Sequence, residues 1–172
     1  MNDFFHALEG DGVRADLSGF GWRLALYLND LDALLGPEPD LPDDPLSALA
    51  MAAETPALPP TDPVMARLLP EGIMDAGEGA DEFRQFSQAT LLARKRRDAR
   101  ALRQLLEVEL ADLDANQARE VLGALNDLRL MLGTKLMVSE GDPDLDDANE
   151  LAAYQIYQLL GLLQEELLDA LT

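Results

Sequence analysis

The sequence contains no cysteine, one histidine and few basic residues. Without cysteine the chain can form no disulfide, no thiolate nucleophile and no cysteine-ligated metal site. Zinc and di-iron motifs need at least two histidines, so His6 alone cannot supply them. Glycine-rich phosphate-binding motifs are also missing. We therefore assign no catalytic residue, no metal ligand and no cofactor from the sequence, and we lean towards a protein that is not an enzyme.

Long uninterrupted apolar runs are also missing. The most apolar stretch, residues 151–171, contains three glutamines and two adjacent glutamates, and each of these would be costly inside a bilayer. The first ten residues lack the basic start and the apolar core of a secretory signal. We therefore predict a soluble, cytoplasmic protein that does not contact a membrane.

Negative charge is what the chain has in excess. Its 33 Asp and Glu residues outnumber 13 Lys and Arg, which gives a formal net charge of −20. Such a surplus repels the phosphates of nucleic acids at long range, so it argues against a nucleic-acid partner. The charge does not indicate disorder, because 48% of the residues are apolar and they follow helical patterns.

The chain length and the residue patterns predict one domain over residues 1–172. Apolar and polar residues alternate around a Gly-Asp turn, which predicts a β-hairpin over residues 1–17. The spacing of apolar residues then predicts a helix over residues 18–35, with Ser18 as its N-cap.

Eight of the ten prolines lie in residues 36–63, which we predict to be a connector containing one short helix capped by Asp44. Residues 64–172 are predicted to form a helical bundle. After a short helical turn, it contains a helix over about 80–110, a helix capped by Asp114, and a last helix over about 146–171. Short acidic loops favour antiparallel packing. The expected fold class is mainly α: an antiparallel helical bundle with a small N-terminal β-hairpin packed on it.

The strongest local signal is a cluster of cations on the predicted long helix, here called the basic segment. It holds six of the thirteen basic residues: Arg94, Lys95, Arg96, Arg97, Arg100 and Arg103. Four consecutive helical positions point in every direction, so these side chains cannot all face one side. In one interpretation, carboxylates neutralise them, including the helical pairs Arg94–Asp98 and Arg103–Glu107. In the other, they bind a phosphate, an RNA segment or an acidic partner.

A second polar group interrupts the apolar helix that follows Asp114. Asn126 and Arg129 lie on one face of it, a single turn apart. Such a pair forms either a structural hydrogen-bond network or part of a ligand site. The resulting candidate patch for an anion or a partner consists of Arg84, Arg94, Lys95, Arg97, Arg100, Arg103, Asn126 and Arg129.

Four segments carry a family resemblance: 62–70, 82–86 with Lys95 beyond it, 124–134 and 157–166. The most specific is Leu-Asn-Asp-Leu-Arg followed by Leu-Gly-Thr within the third. In these segments the chain resembles an actinobacterial family of small acidic helical proteins known only as a domain of unknown function. Members are often encoded near the adaptor of the caseinolytic protease, and some are labelled regulators. The family has no established activity, so the resemblance assigns no function to any residue.

The leading hypothesis is a non-enzymatic, protein-binding accessory or regulatory domain, which could form a homodimer through its leucine-rich last helix. One alternative is a nucleic-acid-binding transcriptional regulator that uses the basic segment. The other is an enzyme or binder of a small anionic metabolite, anchored by Arg84, Lys95, Asn126 and Arg129.

Overall fold

The computed structural model describes residues 4–40, 44, 46–47, 50–51, 61–70, 80–138 and 147–172, without the side chains of 80–84. Its elements in chain order are β1 (Phe5–Ala7), β2 (Val13–Asp16), α1 (Gly21–Leu35), α2 (Pro63–Leu68), α3 (Ala80–Val108), β3 (Leu110–Leu113), α4 (Ala115–Lys135) and α5 (Ala148–Ala170). The fold is mainly helical with a small antiparallel sheet packed on the helices, as predicted. No helix in the described part is long and apolar enough to cross a bilayer.

The predicted hairpin is confirmed, but it belongs to a three-stranded sheet with the order β1-β2-β3. Phe5 pairs with Ala15, and Val13 pairs with Leu113 of β3. The third strand was not predicted, because we expected the long helix to continue to about residue 110. The helix instead ends at Val108, where Glu109 adopts a left-handed conformation at φ 59° and turns the chain into β3.

The start of α1 also differs from the prediction. Ser18 does not cap it; its backbone N–H donates to the Asp16 carboxylate, and the helix begins at Gly21 without a side-chain cap. The reason is a turn at Gly19, whose φ of 87° separates the strand from the helix. The predicted end at residue 35 is confirmed.

Much of the predicted connector lies outside the described residues. The predicted cap of its short helix is present, because the Asp44 carboxylate accepts hydrogen bonds from the backbone N–H and the hydroxyl of Ser47 at 2.9 and 2.7 Å. These two bonds lower the pKa of Asp44. Residues 46–47 and 50–51 are helical.

Helix α4 is the centre of the bundle, packed against α2, α3 and α5. The predicted capping box starts it: the Asp114 carboxylate accepts from the N–H groups of Asn116 and Gln117, and the Gln117 side chain accepts from the Asp114 N–H. Its apolar face is buried, and so is the inner face of α5. The core residues of these two faces include Val121, Leu125, Leu128, Leu132, Ile156, Leu160, Leu163 and Leu167.

Candidate functional site

The basic segment of α3 is occupied by contacts within the fold. Five of its cations pair with carboxylates: Arg94 with Asp98, Lys95 with Asp127, Arg97 with Glu120, Arg100 with Glu38 and Arg103 with Asp32. Four of these partners lie on α1, just after α1 or on α4, and the fifth, Asp98, lies on α3 itself. The neutralising interpretation therefore describes most of the segment. The expected Arg103–Glu107 pair is replaced by the contact with Asp32, because α1 packs directly on α3.

Arg96 is the sixth cation of the segment, and it caps α1. Its guanidinium donates to the carbonyls of Leu35 and Gly36, with Nη2 2.7 Å from the Leu35 oxygen. A cation at this position complements the negative end of the helix dipole. A small cavity of about 320 Å³ lies here, but Asp32 and Glu38 line it beside the arginines and already supply negative charge. We therefore do not assign it as an anion site.

Lys95 and Asp127 form a buried ion pair between α3 and α4. Lys95 Nζ lies 2.6 Å from Asp127 Oδ1, and the two side chains are only 11% and 3% exposed. Burial raises the pKa of the Asp127 carboxyl, and the lysine opposes that rise. Because neither partner reaches an open surface, this contact has a structural role in joining the two helices.

Asp98 of α3 is a second buried carboxylate, in addition to Asp127 of α4. Burial raises its pKa to about 6, and the positive charge of Arg94, 3.7 Å away, only partly offsets the effect. The carboxylate packs against Gly123 of α4, where an added Cβ would overlap its Oδ2 atom. The missing side chain of Gly123 thus allows the two helices to approach each other here.

A groove of about 710 Å³ lies between α2, α4 and α5 and is here called the α2–α4–α5 groove. Arg67 of α2 and Arg129 of α4 both line it. Asn126, Thr134 and Tyr157 supply its other polar atoms, and no carboxylate occurs among its described lining residues. In a chain with a net charge of −20, this lack of carboxylates distinguishes the groove from the basic segment.

Arg129 is held in place by neutral groups, and none of the described residues supplies it with a counter-charge. Its guanidinium carbon lies 5.1 Å from the centre of the Tyr157 ring, and its Nη1 atom donates to Gln164 Oε1 at 3.3 Å. The guanidinium also lies against Gly161 of α5, where an added Cβ would be 3.4 Å from its central carbon. A fixed arginine is preorganised for an anion, because less conformational freedom is lost on binding.

A second glycine positions the neighbouring aromatic ring. Tyr157 packs against Gly133 of α4, where an added Cβ would lie 3.2 Å from the ring. The missing side chain of Gly133 therefore leaves room for Tyr157 of α5, and the missing side chain of Gly161 leaves room for Arg129 of α4. A glycine inside a helix costs about 1 kcal/mol relative to alanine, so this arrangement reduces the intrinsic stability of both helices.

Arg67 is the second arginine of the groove. It is exposed in the last turn of α2, and it makes neither an ion pair nor a hydrogen bond with any described residue. The start of α2 is fixed by Asp62, whose carboxylate accepts from the N–H groups of Val64 and Met65. The backbone of Arg67 is thus positioned while its guanidinium is free to reach an incoming group.

The eight residues of the candidate patch do not form one site. Asn126 and Arg129 meet in the α2–α4–α5 groove, and the side chain of Arg84 lies outside the described residues. The remaining five belong to the ion pairs of α3: Arg94, Lys95, Arg97, Arg100 and Arg103. Sequence reasoning missed Arg67, although a signal existed, because it is the only basic residue between positions 36 and 83.

Residues 4–171 match the sequence model of a family described as a domain of unknown function, DUF2017. The chain belongs to the DUF2017 family. No curated protein and no solved structure matches the chain. Three of the four segments that carry the family resemblance, 62–70, 124–134 and 157–166, contribute residues to the α2–α4–α5 groove. Among the described residues, no group of His, Asp and Glu is arranged to hold a metal ion.

Proposed function

We propose that this DUF2017 protein is a non-enzymatic accessory or regulatory protein that binds a partner protein, and that the α2–α4–α5 groove receives an anionic group of that partner. The observation that carries the proposal is that Arg67 and Arg129 line one groove in which the described lining residues include no carboxylate. An acidic chain has many carboxylates with which to neutralise a cation. Two arginines left without one in a shared concavity are suited to an anion from outside.

The other unpaired arginines support this choice of site. Within the described ranges Arg23, Arg96 and Arg119 also lack an ion pair, but none of the three lines the groove. Arg119 donates to Asn116, and Arg23 lies over the ring of Trp22. They are therefore matched controls: exposed arginines whose removal changes the net charge equally without altering the groove.

The chemistry of the groove favours binding over catalysis. An arginine is always protonated and can donate hydrogen bonds, but it cannot act as a base. The hydroxyl of Thr134 already donates to the Leu130 carbonyl at 2.8 Å. These groups can hold and orient an anion, which is what a contact protein requires. A partner protein that presents an anionic group but has a less negative net charge is favoured over a homodimer, because two copies with a charge of −20 repel each other.

The test is a binding titration with the variants Arg67→Gln and Arg129→Gln. The probe is a fluorescein-labelled oligoglutamate peptide, followed by anisotropy at physiological ionic strength, where charges more than about 8 Å apart are largely screened. A charge-assisted hydrogen bond contributes about 1.5–3 kcal/mol, so each variant should bind about ten- to a hundredfold more weakly. Arg119→Gln should bind like the wild type. Equal affinities for all three variants would contradict the proposal.

A further inference from the structure

Helix α4 ends at the α2–α4–α5 groove in a conformation that suits glycine, yet the residue there is Met137. The N–H of Val138 donates to the Gly133 carbonyl at 2.9 Å, and the N–H of Met137 donates to the Thr134 carbonyl at 3.2 Å. This pattern requires Met137 to be left-handed, and its φ is 50°. Glycine adopts such a conformation without steric strain, whereas a residue with a Cβ does not.

The Met137 side chain contributes little to the packing of the fold. It is 84% exposed, the highest value among the exposed large apolar side chains of the described part, although it lines the groove. Neither the helix end nor the core explains a large apolar residue at this position. Methionine is flexible and polarizable, and it is common on surfaces that adapt to a bound partner.

The surroundings of Met137 combine positive charge with apolar surface. Leu130 and Val138 line the same groove as Arg67 and Arg129. A suitable occupant therefore carries a carboxylate for the arginines and an aliphatic group beside it. The groove is open to solvent along one side, whereas small-molecule sites usually enclose most of their ligand. An extended protein segment fits such an open surface better than a small metabolite does.

We infer that Met137 is a binding residue, and that the occupant of the groove is an acidic segment of a partner protein with an aliphatic side chain next to its carboxylates. This inference rests on the proposed function and names the chemistry of its ligand. Arg67 and Arg129 would bind the acidic residues of the segment, and Met137 would contact its aliphatic side chain.

Two labelled peptides of equal length and charge test the inference. One alternates glutamates with leucine, and the other has glycine in place of each leucine. The wild type should bind the leucine peptide about five- to tenfold more tightly, because part of the leucine surface is removed from water. In Met137→Gly this preference should disappear, because the loss of affinity falls mainly on the leucine peptide. Met137→Asn should behave in the same way, because asparagine tolerates the left-handed conformation without the backbone freedom of glycine.

Thermal unfolding separates a binding role from a structural one. Met137→Gly should raise Tm by about 2–4 °C, because the strained conformation is relieved. Glu109→Gly is the matched control, since Glu109 is also left-handed but does not line the groove. It should raise Tm without changing the affinity for either peptide.

The possible failures are distinguishable. If Met137→Gly keeps the leucine preference while the arginine variants lose binding, this inference is wrong and the proposed function stands. If citrate or phosphate binds the groove and neither peptide does, the occupant is a small anion and the inference is again wrong. If the arginine variants bind every probe normally, both fail. Self-association by light scattering that requires Met137 would identify a second copy of the chain as the occupant and overturn the choice of partner.

Discussion

Replacing Lys95 by methionine should strongly destabilise the protein. Methionine retains the aliphatic stem of the lysine but removes its charge, so Asp127 loses its partner at 2.6 Å. The Asp127 side chain is only 3% exposed, and solvent cannot replace the lysine without a rearrangement of α3 and α4. Removing one partner of a buried ion pair typically costs about 3–5 kcal/mol.

Protonation of Asp127 sets an upper limit on that cost. The variant can bind a proton at this carboxyl in preference to burying the negative charge. Raising the pKa of an aspartate from its ordinary value of 3.8 to the solution pH of 7 corresponds to about 4 kcal/mol. We therefore expect a loss of about 3–4 kcal/mol at pH 7. The loss should become smaller as the pH falls towards 4, where protonation costs almost nothing.

Urea unfolding followed by circular dichroism at pH 7 and at pH 4.5 measures both effects. The double variant Lys95→Met with Asp127→Leu is the control, and it should recover most of the stability because no charge remains buried. A loss below about 1 kcal/mol at pH 7, or an equal loss at both pH values, would refute the reasoning that Asp127 depends on Lys95.

Two other substitutions test the neighbouring features. The pKa of Asp98 in the folded state is about 6, above its ordinary value of 3.8. The folded protein therefore becomes less stable as the pH rises through this interval, and ionisation of Asp98 costs up to about 3 kcal/mol of its free energy of unfolding. Asp98→Asn should remove that dependence in urea titrations across pH, and parallel curves for variant and wild type would contradict it. Gly133→Ala should weaken oligoglutamate binding several-fold, because its Cβ would lie 3.2 Å from the Tyr157 ring and would shift the ring on which Arg129 packs. Unchanged affinity would show that the glycine has no positioning role.

Local sequence patterns were sufficient to predict the helices and strands that are determined by neighbouring residues. The apolar spacing of α4 and its Asp114 cap are properties of neighbouring residues, and so are the two strands around the Gly-Asp turn. β3 could not be predicted in the same way, because its four residues become a strand by pairing with β2, about 100 positions earlier. A short Leu-Ala-Asp-Leu sequence carries no clear period of its own.

In the candidate site, too, the sequence predicted local features but not contacts between distant elements. Sequence alone located the cations of the basic segment and the Arg94–Asp98 pair, but the other partners, such as Asp32 and Glu120, lie on other elements. The placement of Asn126 and Arg129 on one face of α4 is a local property, whereas Gln164 of α5, which hydrogen-bonds to both side chains, comes from another element. Arg67 and Tyr157 join them only because α2 and α5 both pack against α4. The groove forms only when three helices pack together. The sequence pattern predicts each helix separately and does not show which of their residues will meet.

The pairing of β2 with β3 also sets the order of events during synthesis. Residues Val13 and Leu113 are neighbours in the sheet, so the nascent hairpin has no third strand until the ribosome has added about 100 more residues. At about 5–20 residues per second this delay is roughly 5–20 s. Throughout it the apolar side chains of Phe5, Val13 and Ala15 lack their final covering, and they are candidates for transient chaperone contact.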